Sequence, residues 1–161
     1  MAMILASQSP RRRELLGQMG FSFTVRPAKG EELPHPELTP AQLVEELARQ
    51  KALEVSAEAE ADDVVVAADT VVAIDGKVLG KPHDKVHAAQ MLSALSGREH
   101  TVYTGVAVRR GETLLVEHEA TFVRFRPLTQ REIDLYIQTG EPMDKAGSYG
   151  IQGYGALLVE G

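Results

Sequence analysis

The sequence predicts an α/β fold built on a mixed sheet, and three observations carry that expectation. Strand-like and helix-like segments alternate through the first half of the chain. Val64-Val65-Val66-Ala67-Ala68 is an uninterrupted apolar run, the pattern of a strand covered on both faces. The middle of the chain then turns to hairpins, marked by Asp75-Gly76 and by Arg109-Arg110-Gly111-Glu112. At 161 residues, 43% of them apolar, the chain has material for one domain with a buried core, two lobes around a cleft being one form of it. Trp is absent and aromatics are few, so that core must be mostly Leu, Val, Ile and Ala.

Taken in order, Met3-Ile4-Leu5-Ala6 reads as a strand. Ser7-Gln8-Ser9-Pro10-Arg11-Arg12-Arg13 turns it into a helix that begins Glu14-Leu15-Leu16. Ser9 suits the N-cap, Pro10 the first helical position, and Gly20 a left-handed stop. Residues 21–25 alternate as a second strand. Residues 26–36 form a loop broken by Gly30, Pro34 and Pro36, and it carries Glu31-Glu32. Thr39-Pro40 starts a long helix with Leu43, Val44, Leu47, Ala48, Ala52 and Val55 on one face. The run 64–68 leads through Asp69-Thr70 into Val71-Val72-Ala73-Ile74, and Asp75-Gly76 folds Lys77-Val78-Leu79 back on it. Gly80-Lys81-Pro82 closes that hairpin. A helix over about 84–95, strands around 100–108 and 114–125, and a Thr129-capped helix over 130–138 follow. Residues 141–161 are expected to be a glycine-rich loop and a strand over 156–159.

The formal net charge of −6 argues against a nucleic-acid coat or a basic membrane-binding surface. No Cys means no disulfide, zinc-thiolate site or thiol nucleophile, which fits a reducing cytoplasm. No stretch approaches the roughly 18 apolar residues of a membrane span. Nor do the first residues read as a signal peptide, because the arginines follow a short apolar run.

The candidate chemistry starts with the arginines. A helix N-terminus carries partial positive charge and prefers acidic residues, yet three cations occupy this first turn. Either they are solvated surface residues, or an anion binds among them and the free amides. Asp69 follows a buried strand, which should place its carboxylate at the carboxyl end of a central strand, where α/β sheets bind ligands. A turn-starting Asp is the alternative, but Thr70-Val71-Val72 continues a strand with no turn residue. Lys51 falls on the apolar stripe of the long helix, either facing an anion or reaching out from the stripe's edge. Taken alone, Lys81 and Glu32 read as surface residues. Together, Glu32 and Asp69 with Arg12, Lys51 and Lys81 would suffice for a Mg²⁺–polyphosphate site. The P-loop pattern is absent, Gly150-Ile151-Gln152-Gly153-Tyr154-Gly155 has the wrong spacing for a dinucleotide loop, and no serine sits in a nucleophile elbow. The histidines, His100 among them, show no metal-ligand spacing and read as structural or exposed.

Several stretches together resemble the Maf family of nucleoside triphosphate pyrophosphatases. They are Ser7-Gln8-Ser9-Pro10-Arg11-Arg12, Lys51-Ala52, Ala68-Asp69-Thr70, Gly80-Lys81-Pro82, Leu95-Ser96-Gly97 with His100, and the unbroken run from Glu141 through Asp144-Lys145-Ala146-Gly147-Ser148-Tyr149 to Gly153. They occur in family order and cover nearly the whole chain, and the last is the most specific.

The resemblance implies an elongated, twisted mixed sheet flanked by helices, with two lobes around a central cleft. It implies cleavage between the α- and β-phosphates of a nucleotide, a divalent cation such as Mg²⁺ or Mn²⁺, and often a homodimer. Asp69 matches the proposed general base, with metal ligand as its alternative role. Ser7, Arg12, Lys51 and Lys81 match phosphate-binding positions, and Glu32 a metal-associated carboxylate. Arg11, Thr70 and Gln152 match the branch acting on dTTP and UTP, where the branch acting on 7-methyl-GTP has an aromatic residue, Gln and Glu. Arg13 is left as a surface residue. The expected organisation is a single domain over 1–161 without the family's C-terminal strand and helix. Two rivals follow: a non-enzymatic regulator of septum formation and cell division, and an enzyme for modified nucleotides.

Overall fold

Strand β1 (Met3–Leu5) is parallel to both β2 (Thr24–Val25) and β3 (Val64–Ile74), with Ile4 opposite Thr24 and Val65. The computed structural model describes residues 2–6, 14, 17–20, 22–28, 37–149 and 153–160. Strand β4 (Lys77–Leu79) returns antiparallel along the second half of β3, with Val72 opposite Leu79. Asp75 and Gly76 make that turn with φ of 52° and 76°, both left-handed, as a tight hairpin turn requires. Strands β5 (Glu99–Arg110) and β6 (Thr113–Arg124) are joined at Gly111-Glu112 and complete a mixed sheet in the order β2-β1-β3-β5-β6, with β4 on β3.

The three helices described in full are α1 (Pro40–Ser56), α2 (Lys85–Leu95) and α3 (Gln130–Gln138). Each starts where the sequence places a cap. Thr39 and Thr129 each form a reciprocal capping box, with Gln42 and Glu132 respectively, and Asp84 accepts from the His87 amide. No helix among the described residues is long and apolar enough to cross a membrane.

Two expectations change. The strand over 156–159 is replaced by a 3-10 turn, Gly153–Leu158, with a lone bridge from Val159 to Phe125. Its backbone is taken up by a partner distant in sequence instead of a continuous ladder: the Leu158 carbonyl accepts from the Arg126 amide, and the Leu157 carbonyl accepts from the Arg126 side chain. Asp69, expected at the carboxyl end of a strand, lies inside β3, because the strand continues through Thr70-Val71-Val72 to Ile74 with no residue that breaks it.

By contacts the chain divides into two compact units, Met1–Asp69 with Thr104–Glu119, and Thr70–Tyr103 with Ala120–Gly161. The first has a core of small residues: Ala6, Ala48, Ala52, Ala67 and Ala107 are each at most 1% exposed. Alanines let α1 approach the sheet closely. At Gly105 a Cβ would lie 2.2 Å from the Val44 carbonyl oxygen.

The second unit packs larger residues around Leu92, Leu95, Phe125 and Tyr136. Within it His100 is 2% exposed, hydrogen bonded to the Tyr149 hydroxyl and set edge-on to the Phe125 ring. Burial pushes the His100 pKa from 6.5 down to about 4. The imidazole is therefore neutral in the fold, while the unfolded chain takes up a proton near pH 6.5. Stability from this group is complete above that pH and declines as the pH falls toward 4. A shift of this size corresponds to about 3 kcal/mol. Urea midpoints measured across this range should fall for the wild type and much less for His100→Leu. Equal slopes would show that His100 does not carry the acid lability. The half-buried Glu132, lowered to about 2 chiefly by its hydrogen bond from Arg126, contributes in a more acidic window, between pH 4.5 and 2.

Candidate active site

The site is centred on β3. Its first residues pair with β1 as far as Val66, and its last pair with β4 from Val72 onward. Asp69 lies between these two ladders, inside the strand rather than at its end as expected. The change of partner supplies what a strand end would supply, a break in the ladder where a side chain and a ligand can meet. On the β1 side, Ala6 donates to the Val66 carbonyl at 2.8 Å.

Lys51 comes from α1. Val44, Leu47, Ala48, Ala52 and Val55 bury one face of that helix, and Lys51 borders it. Its Nζ lies 3.4 Å from Asp69 Oδ2, with the lysine side chain 24% and the aspartate 15% exposed. Each charge offsets the other's partial desolvation. The pair presents an acceptor and a cation together, next to the ladder break.

Thr70 follows Asp69 in β3 and is half-buried. Lys81 follows β4 and is exposed, between Gly80, whose carbonyl accepts from the Gly147 amide at 3.0 Å, and the buried Pro82. Thr70 and Lys81 thus sit on the two arms of one hairpin. Ser7, Arg11, Arg12, Glu32 and Gln152 lie outside the described residues. Among the described residues no group of three or more His, Asp or Glu could hold a metal ion. Sequence reasoning assigned no role to Gly147, Ser148 or Tyr149. The family-like run 141–153 pointed at them as a pattern, and His100 carried no signal of its partner.

The family model for Maf-like proteins matches residues 2–161. The chain belongs to the Maf-like family. Two curated relatives agree with that placement over nearly its whole length. The dTTP/UTP pyrophosphatase of Symbiobacterium thermophilum is 54% identical over 158 residues, covering 98% of this chain and 80% of the relative. The dTTP/UTP pyrophosphatase of Bacillus pumilus is also 54% identical over 158 residues, covering 98% of this chain and 83% of the relative. Among solved structures, the Staphylococcus aureus Ham1 protein matches with a TM-score of 0.51 at 12% identity, over 78% of this chain and 72% of that one. That likeness concerns the fold alone, a mixed α/β one.

Proposed function

We propose that the protein hydrolyses dTTP and UTP to the monophosphate and pyrophosphate, in a house-cleaning role that extends to modified pyrimidine nucleotides. The observation that carries this reading is the Lys51–Asp69 pair at the break between the β1 and β4 ladders of β3. The two relatives named above, similar over 98% of the chain, support the substrate class. The reading takes residues 1–161 as one catalytic domain of a cytoplasmic homodimer.

In this mechanism Asp69 accepts a proton from a water whose oxygen attacks the α-phosphorus. The new P–O bond forms as the bridging α–β bond breaks, and its electron pair leaves on pyrophosphate. Lys51 orients the Asp69 carboxylate and adds positive charge beside it. Arg12, Lys81 and Ser7 bind the phosphates and stabilise charge on the leaving group. Positioning and electrostatics carry most of the rate, because phosphoryl chemistry asks little covalent work of the protein. Arg11, Thr70 and Gln152 select the base, and a glutamine carboxamide can donate and accept at once toward a pyrimidine edge. Glu32 would hold a Mg²⁺ or Mn²⁺ ion, with Asp69 as the second carboxylate in its alternative role as metal ligand, since such ions take one or two carboxylates and the substrate itself. When bound, the cation neutralises phosphate charge.

A panel of nucleoside triphosphates with Mg²⁺, assayed separately for pyrophosphate and orthophosphate, tests the proposal. Pyrophosphate should appear first, and fastest from dTTP and UTP. Orthophosphate as the first product would exclude α–β cleavage. No turnover of any triphosphate would leave the non-enzymatic regulator as the reading.

A further inference from the structure

Residues 145–149 form a sharp reversal in the second unit. Gly147 and Ser148 are consecutive and both left-handed, with φ of 70° and 68°. For a serine that conformation is strained, and such strain persists only where the surroundings over-determine it. Here they do. Ser148 is fully buried, and its hydroxyl donates to the Met91 sulfur at 3.0 Å. Gly147 is pressed against β3, where a Cβ would lie 2.7 Å from a Val72 methyl. Tyr149 drops into the core, hydrogen bonded to His100 and edge-on to Phe125 at 4.7 Å. At the far end Glu141 accepts from the Tyr136 hydroxyl and the Gly155 amide.

Facing away from this arrangement, the Gly147 amide donates to the Gly80 carbonyl. Gly80 precedes Lys81, and the residue after Lys81, Pro82, is buried. The exposed lysine is therefore fixed on both sides, once by proline packing and once by the reversal.

We infer that Tyr149 and His100 are positioning residues for Lys81, acting through the Gly147–Ser148 reversal and its grip on the Gly80 carbonyl. The inference rests on the proposed function only in taking Lys81 as a phosphate ligand. The buried pair has no contact with substrate in this scheme. It holds the peptide that aims the lysine, so its loss acts on catalysis by loosening Lys81.

A double-mutant cycle tests it. kcat/KM for dTTP with Mg²⁺ is measured for wild type, Lys81→Ala, Tyr149→Phe and the double variant, with urea midpoints for all four. Lys81→Ala should lower kcat/KM about 100-fold, as for loss of one preorganised charge-stabilising group. Tyr149→Phe should lower it about tenfold in the wild type but less than about twofold in Lys81→Ala, while shifting the urea midpoint equally in both. The same factor in both backgrounds would overturn the inference and leave Tyr149 a structural residue. A Lys81→Ala variant within about twofold of wild type would instead remove the phosphate role of Lys81, and the inference with it. Should Tyr149→Phe yield too little folded protein, His100→Gln takes its place in the same comparison.

Discussion

Asp69→Asn is expected to lower kcat by about 10²- to 10⁴-fold, the contribution of a positioned general base. That is roughly 3–5 kcal/mol of barrier. The substitution is nearly isosteric, so the ladder of β3 should survive it. Lys51 loses its partner at 3.4 Å, but at 24% side-chain exposure it can turn toward solvent. The cost in stability should therefore stay below the roughly 3–5 kcal/mol of breaking a fully buried pair. Turnover within about tenfold of wild type would rule out the proposed role. Metal titration separates the two roles of a carboxylate here. A ligand role predicts partial recovery at high Mn²⁺, whereas a base role predicts a loss that no metal concentration restores.

The largest effect on stability is expected at Gly105. An alanine Cβ there would meet the Val44 oxygen at 2.2 Å, the Val44 carbonyl carbon at 2.4 Å and the Glu45 nitrogen at 2.9 Å. All three are backbone atoms of α1, so no side-chain rotation relieves the contact. The helix must move away from β5, and Ala48 and Ala52 on its buried face are too short to fill the gap. Gly105→Ala should cost more than about 4 kcal/mol, a large fraction of a typical domain's stability. It should also depress activity in whatever folded protein remains, because Lys51 lies two turns beyond Val44 on the same helix. Gly17→Ala is the control, since nothing among the described residues lies within 4 Å of the Cβ it adds. A thermal midpoint for Gly105→Ala within about 3 °C of wild type would show that the helix has room to yield.

Local signals were read well because they act over a few residues. The capping threonines, the Asp75-Gly76 turn and the apolar stripe of α1 each follow from neighbours in the chain. The strand expected over 156–159 failed for the same reason in reverse. Its apolar side chains suit a strand, but its backbone partners come from Arg126. Asp69 was legible as a candidate, yet its setting was not, since the change of partner along β3 depends on where β1 ends and β4 begins. Lys51 was legible on its stripe, while its approach to Asp69 depends on how closely α1 packs on the sheet. The His100–Tyr149 pair joins residues 49 positions apart, beyond any periodicity.

Strand β6 ends the described sheet, and it bears on how the protein behaves in bulk solution. Leu115 and Phe122 on it are 64% and 71% exposed, and every residue from 117 to 122 is open to solvent. A twelve-residue outer strand of this kind offers a template on which another copy can add. Glu117 and Glu119 in its middle are the built-in deterrent, because stacking them against a second strand brings like charges together. The chain as a whole becomes neutral near pH 5.4, where net repulsion between copies is lost. Mildly alkaline buffers of modest ionic strength are thus the conditions in which concentrated preparations should stay clear.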